Sequence, residues 1–361
     1  MTMLPNHKLF GVFLPIANGG WIISKNAPPL DGLYQTNREA AIIADRIGLD
    51  FIMSMSKFRG FGGDTNHWAT SMESMTMMAG LAEVTKNVKV WATVHALLSN
   101  PGVVAKMVTT LDHISNGRAG LNIVAGAYRE EFSQMGAWDD TLTHADRYQL
   151  TEEWITIIKR LWSEPSVTFK GRFFDMEDCQ SDPKPISKPR PDLIAAGQSD
   201  RGFDFSTSHA DACFIGGRSI EERRGFSKRA REIAAEKGKT IRVCSMCTVI
   251  HDDSDAKAEA MLQRFEDGKD LGAIMAQMKS WGLAPDSLAA AARKMGASQN
   301  HTVVGSPETC REKIEAYIEA CDLDGVMLIF PDYKTGLEMF GSILPKLRQT
   351  FPATSHEPAQ A

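Results

Sequence analysis

No apolar run in this sequence approaches the roughly 20 residues that a membrane-spanning helix needs. The first residues, MTMLPNHKLF, also lack the basic-then-apolar build of a signal peptide. Together these absences predict a cytoplasmic protein with no membrane partner. Long basic runs are missing too: 40 Lys+Arg stand against 45 Asp+Glu, a net charge of −5, so there is no electrostatic footprint for nucleic acid. Cysteine is sparse, six scattered over 361 residues, which excludes a disulfide framework. Cys244 and Cys247 spell C-x-x-C, but in TIRVCSMCTVI, a strand pattern whose odd spacing sends the two thiols to opposite faces. Nine histidines are spread singly with no H-E-x-x-H, so no metal site is expected. No G-x-S-x-G elbow, no G-x-G-x-x-G after the first apolar run and no P-loop occur, which argues against a triad hydrolase, a dinucleotide-binding open sheet and an NTPase.

What is present is alternation. Hydrophobic residues make up 43% and charged residues 24%, the balance of a globular chain. Apolar, β-branched runs at 8–16, 50–56, 88–95, 119–126, 192–197, 211–217, 241–250 and 325–331 are separated by stretches with apolar residues at helical spacing, such as NREAAIIADRIG and YQLTEEWITIIKRLW. Eight strands alternating with helices predict an α/β fold, a (β/α)8 TIM barrel, occupying residues 1–350 as one domain. Two insertions are expected. Residues 163–190 read as a hairpin with a Pro- and Lys-rich crossing, and residues 268–303 as helical decoration able to cover the barrel mouth. Residues 351–361 read as a flexible tail.

In such a barrel the working groups stand at the C-terminal ends of the strands. The second run ends in Ser54, Ser56 and Lys57, the third in Thr93 and His95; the fourth carries Asn122 and leads to Tyr128 and Glu131, and the fifth ends in Gly197, Gln198 and Ser199. Asn122 is the oddity, a carboxamide between Leu121 and Ile123. A ligand at the mouth could satisfy it, or it could bond Thr93 as a closed core pair. His95 could be a packed imidazole, and Lys57 could face solvent. Neutral polar groups and glycines without a metal set or nucleophile point to an organic cofactor.

The stretches GVFLPIANGGWIIS, SMSKFRGFGG, KMVTTLDHISNGRAGLNIVAG, EFSQMGAWDDTLTHADRYQLTEEWI, FKGRFFDMEDC and AAGQSDRGFDFSTSHAD resemble the bacterial luciferase-like flavin monooxygenases, in register from about residue 8 to 345. Within that family the chain is most similar to the members that oxidise pyrimidines, dimethylsulfone and alkanesulfonates. The resemblance implies a luciferase-like barrel that binds FMN as FMNH2, uses O2, and receives reduced flavin from a separate NAD(P)H-dependent flavin reductase. It implies flavin contacts at Ser56, Lys57, Asn122, Glu131, Arg147, Tyr148 and Ser199. It also implies catalytic roles for Thr93 and Asn122, holding oxygen beside flavin N5, and a substrate pocket at Trp21, Met55, His95, Ala127 and Tyr128. A small N-heterocycle or cyclic amide is the expected substrate; C–S cleavage of a sulfone or sulfonate and F420-dependent hydride transfer are the alternatives. Relatives form homodimers or homotetramers. Ala127 stands where the members that oxidise pyrimidines and dimethylsulfone carry tryptophan, which alters the pocket wall and argues against uracil itself as the substrate.

Overall fold

The structure is a computed structural model and describes residues 4–126 and 128–353. Eight parallel strands close into a barrel: β1 (Leu9–Phe13), β2 (Phe51–Met53), β3 (Lys89–His95), β4 (Ala119–Val124), β7 (Asp192–Ala196), β8 (Ala212–Ile215), β9 (Arg242–His251) and β11 (Gly325–Ile329). Each pairs with the next, and β11 returns to β1 with Leu9 opposite Gly325. These are the eight runs read from the sequence. The first hairpin of insertions is also present, β5 (Val167–Lys170) against β6 (Asp175–Cys179), antiparallel, turning where Gly171 N–H donates to Phe174 O at 2.8 Å.

One strand departs from expectation. Residues 268–303 do form two helices, Leu271–Ser280 and Pro285–Lys294, but the segment ends in a ninth parallel strand, β10 (His301–Gly305), that the Ala-rich helical pattern before it had masked. It exists because β9 is ten residues long and β8 only four. Arg242–Ser245 of β9 pair with β8, and the edge left free beyond them, Cys247–His251, takes up β10.

The interior is filled by alternating large and small residues. Phe51 and Trp91 stack with centroids 4.1 Å apart, and neither neighbouring strand has room for a side chain there. A Cβ on Gly11 would sit 2.3 Å from Phe51, and one on Gly120 would sit 2.2 Å from Trp91. Trp91 is held further by its Nε1, which donates to Asp192 at 3.2 Å. Because Trp91 and Gly120 face inward in register, period-two alternation brings Thr93 and Asn122, their partners two residues on, to the inward face one layer nearer the mouth. Cys244 and Cys247 are both buried in β9, and burial raises both thiols well above their ordinary pKa, so they remain protonated and inert. No helix among the described residues is long and apolar enough to cross a membrane.

Candidate active site

Thr93 and Asn122 meet: Asn122 Nδ2 donates to Thr93 Oγ1 at 3.0 Å. The Thr93 hydroxyl has one proton, and it is given to the Ser54 carbonyl. That fixes the amide orientation, since Thr93 can then only accept from Asn122. The carboxamide oxygen Oδ1 is consequently turned away and left without a partner, in a residue only 6% exposed. Serine hydroxyls brace the pair from behind. The helix Ser74–Glu83 begins where Glu73 caps Met75 and Thr76, and Ser74 Oγ accepts from Thr93 N at 2.8 Å and meets Ser54 Oγ at 2.6 Å. The closed-pair reading of Asn122 is thus half realised, with one amide group engaged and the other free.

His95, one layer higher, donates from Nε2 to the Ser56 carbonyl at 3.0 Å, leaving Nδ1 buried and unpaired. Burial lowers its pKa, so the imidazole is neutral. Thr93, His95 and Ser56 line a void of about 50 Å³. Lys57 is not at the solvent: its Nζ bonds Glu131 at 2.9 Å, with side chains 9% and 2% exposed. Glu131, on the short helix Arg129–Ser133, also accepts from Phe58 N at 2.6 Å. The ammonium lies over the Tyr128 and Phe61 rings, 4.4 and 4.7 Å from their centroids. Desolvation lowers the Lys57 pKa, and Glu131 opposes that shift. Ala127 lies outside the described residues.

A second group of expected residues assembles on the neighbouring side, after β7. Ser199 caps the helix Asp200–His209, accepting from Gly202 N at 3.1 Å. Thr143 and Asp146 form a capping box that starts the helix His144–Ser163, and this places Arg147 and Tyr148 in its first turns. The Tyr148 hydroxyl bonds the Ser199 side chain, while burial raises its pKa. Arg147 lies over the Trp138 ring at 5.0 Å and leaves Nε unpaired. A Cβ at Gly197 would lie 2.7 Å from Tyr148 Oη and 3.1 Å from Gly202 Cα. Glycine here lets the end of the strand and the start of the helix approach closely. Gly197→Ala is expected to destabilise the fold by about 1–3 kcal/mol in urea unfolding, because its Cβ would meet Tyr148 Oη at 2.7 Å.

A cavity of about 490 Å³ opens over β7–β9 beside this turn, with Gln198 in its wall. Trp21 stands there, stacked on Phe13 at 4.0 Å and edge-on to Trp68 at 5.0 Å. Met55 is buried and does not line this cavity. The sequence did not single out several wall residues: His67 and Gln299 in loops, Gln277 in the covering helix and Arg223 in a barrel helix, because a polar residue's place in a wall leaves no periodic signal. His67 is 1% exposed with both ring nitrogens unpaired, and its Nδ1 occupies the space that a Gly19 Cβ would need. Asp270 ties this loop to the covering helix Leu271–Ser280, accepting from Thr65 N at 2.7 Å and Ala273 N at 3.1 Å.

Burial pushes His67, His209 and His301 down to about 4. Each folded value lies below the unfolded ~6.5, so the unfolded chain takes up protons first; this stability is full above pH 6.5 and is lost as pH falls towards 4. Urea unfolding at pH 7 and pH 5 is expected to show a loss of several kcal/mol, smaller in His209→Gln by ~1–3 kcal/mol.

An inward-facing amide with a free oxygen, a neutral imidazole and a buried ammonium–carboxylate pair gather at the mouth of a closed barrel, with a capped helix start after β7 beside them. Polar groups of this kind, without a metal cluster among the described residues, fit an organic cofactor in a TIM barrel. The chain belongs to the luciferase-like monooxygenase family, whose pattern it matches over residues 9–322, and it is a flavin-dependent monooxygenase acting on a small molecule. It is 37% identical over 368 residues to the pyrimidine monooxygenase RutA of Variovorax paradoxus, covering 97% of each chain. It is 38% identical to the RutA of Acinetobacter baylyi, over 93% of this chain and 94% of the relative. Among solved structures, riboflavin lyase RcaE with modified FMN and riboflavin shares the fold at a TM-score of 0.84 and 20% identity, covering 98% of this chain and 94% of that one.

Proposed function

We propose that this chain is the oxygenase component of a two-component system, receiving FMNH2 from a separate NAD(P)H-dependent flavin reductase and using O2 to oxygenate or cleave a small N-heterocycle or cyclic amide. The observation that carries this is the free Asn122 Oδ1 beside Thr93, in a chain whose relatives are named pyrimidine monooxygenases. Arg147, Tyr148, Ser199 and the first N–H groups of the helix after it hold the phosphate; Ser56, Lys57, Asn122 and Glu131 hold the ring. When bound, the reduced flavin supplies the electrons that activate dioxygen.

The remaining work belongs to the side chains. Asn122 accepts a ligand N–H at Oδ1 and offers its second Nδ2–H to oxygen, while Thr93 fixes the plane of the amide. Neutral His95 holds no spare proton, so negative charge developing nearby is not quenched early; the Lys57 ammonium, kept charged by Glu131, favours that charge. Trp21, Met55 and Tyr128 shape the substrate side. The test is rapid mixing of FMNH2-loaded protein with oxygen, followed by product analysis over uracil, thymine, saturated cyclic amides and sulfones. Flavin oxidation without any substrate-derived product across the panel would falsify the reading, and conversion of sulfones alone would replace the substrate class. The chain is further proposed to assemble as a homodimer or homotetramer, which light scattering tests.

A further inference from the structure

The cavity over β7–β9 contains a guanidinium that no described residue pairs with through a hydrogen bond or ion pair. Arg223 sits in the first turn of the helix Ile220–Glu236, beside Gly216 and Gly217 in the cavity wall, and is 6% exposed. Among the described residues its guanidinium has no hydrogen-bond or ion-pair partner, and its Nε is buried and orphaned. The Tyr317 ring, 5.9 Å away, is at the outer limit of a cation–π contact. Glu222, the adjacent carboxylate, is engaged by the Arg218 backbone N–H instead. The stem of Arg223 is held close against the chain: a Cβ on Gly217, whose φ is +132°, would lie 2.9 Å from its Cγ. A buried guanidinium without a counter-charge is costly, and chains tolerate that cost where a ligand supplies the anion.

The surrounding wall narrows the ligand. Gln277, 7% exposed, and Gln299 each leave one carboxamide atom buried and unpaired. Two such groups match the alternating C=O and N–H edge of a cyclic amide. Trp21, Trp68 and Trp281 give the cavity flat aromatic surfaces for a planar ring. Resting on the proposed function, we propose that Arg223 is an anion-recognising specificity residue of the substrate cavity, and that the substrate is a planar cyclic amide bearing a carboxylate, which the guanidinium receives as a fork. The proposed function assigns the flavin phosphate to Ser199, Arg147 and Tyr148, none of which lines this cavity.

Calorimetric titration of the FMN-loaded full-length protein with uracil and with 6-carboxyuracil tests this. The carboxylated ring is expected to bind at least about tenfold more tightly than uracil, and Arg223→Gln is expected to weaken it by about 10- to 100-fold while uracil and FMN stay within about twofold. Arg223→Lys, which keeps the charge and loses the fork, is expected to fall between. Ligand-free Arg223→Gln is expected to melt at the same temperature as the parent or higher, because an unpaired buried charge has been removed; a merely structural arginine would show the reverse. Equal binding of the two rings, with uracil still oxygenated, overturns the role of Arg223 alone. Equal loss of FMN binding in Arg223→Gln also overturns it, by assigning the guanidinium to the cofactor phosphate. Failure of both rings to bind or react overturns the pyrimidine-like reading, and this inference with it.

Discussion

Asn122→Ala is expected to lower substrate oxygenation by about 10²- to 10³-fold, the range seen when one preorganised donor is removed from a reacting oxygen. The protein should remain folded, because the residue removed leaves only the Thr93 lone pair unanswered. Flavin consumption should continue, with oxygen leaving as hydrogen peroxide rather than in product, so peroxide yield per FMNH2 is the direct readout. Asn122→Asp is the sharper variant. It has the same shape, but its carboxylate would face the Thr93 oxygen, whose only proton is already given to Ser54. Two acceptors then oppose each other, and turnover should fall at least as far as in the alanine variant. Thr93→Ser, which keeps the hydroxyl, should retain most activity, whereas Thr93→Val should behave like Asn122→Ala. If Asn122→Ala oxygenates substrate within about threefold of the parent, the pair is only a core contact.

The second large effect concerns stability. Lys57 and Glu131 form an ion pair with side chains 9% and 2% exposed, and removing one partner strands the other charge in the interior. Lys57→Ala and Glu131→Ala are each expected to cost about 3–5 kcal/mol in urea unfolding. Lys57→Met combined with Glu131→Gln, which removes both charges and preserves volume, should recover at least half of the larger single loss. That non-additivity separates a coupled buried pair from two independent packing defects; strictly additive losses would count against the pair. Flavin affinity should fall in all three variants, since the loop from Lys57 to Phe58 and the helix Arg129–Ser133 are joined through this carboxylate.

The sequence by itself determined the barrel, because strand and helix periodicities differ and eight β-branched runs alternate with 3.6-period stretches. It also brought Thr93 and Asn122 to the same inward face, while leaving open whether Asn122 meets a ligand or Thr93; the structure shows the bond to Thr93. A carboxamide inside an apolar strand is anomalous on local grounds alone, and parity places it on the inward face. Ser199 was legible as a polar residue at the end of the fifth run; its role as the cap of the following helix is seen only in the structure. Strand β10 was not legible: HTVVG is too short to outvote the alanines before it, and its existence depends on β9 outrunning β8, a relation between segments distant in the chain. The state of Lys57 was equally hidden, since whether a lysine meets solvent or a carboxylate 74 residues away is decided by packing. So was the unanswered charge of Arg223. A guanidinium looks the same in any sequence; only the tertiary structure decides whether a counter-ion stands within reach, because pairing is a matter of distance in space and not of order along the chain.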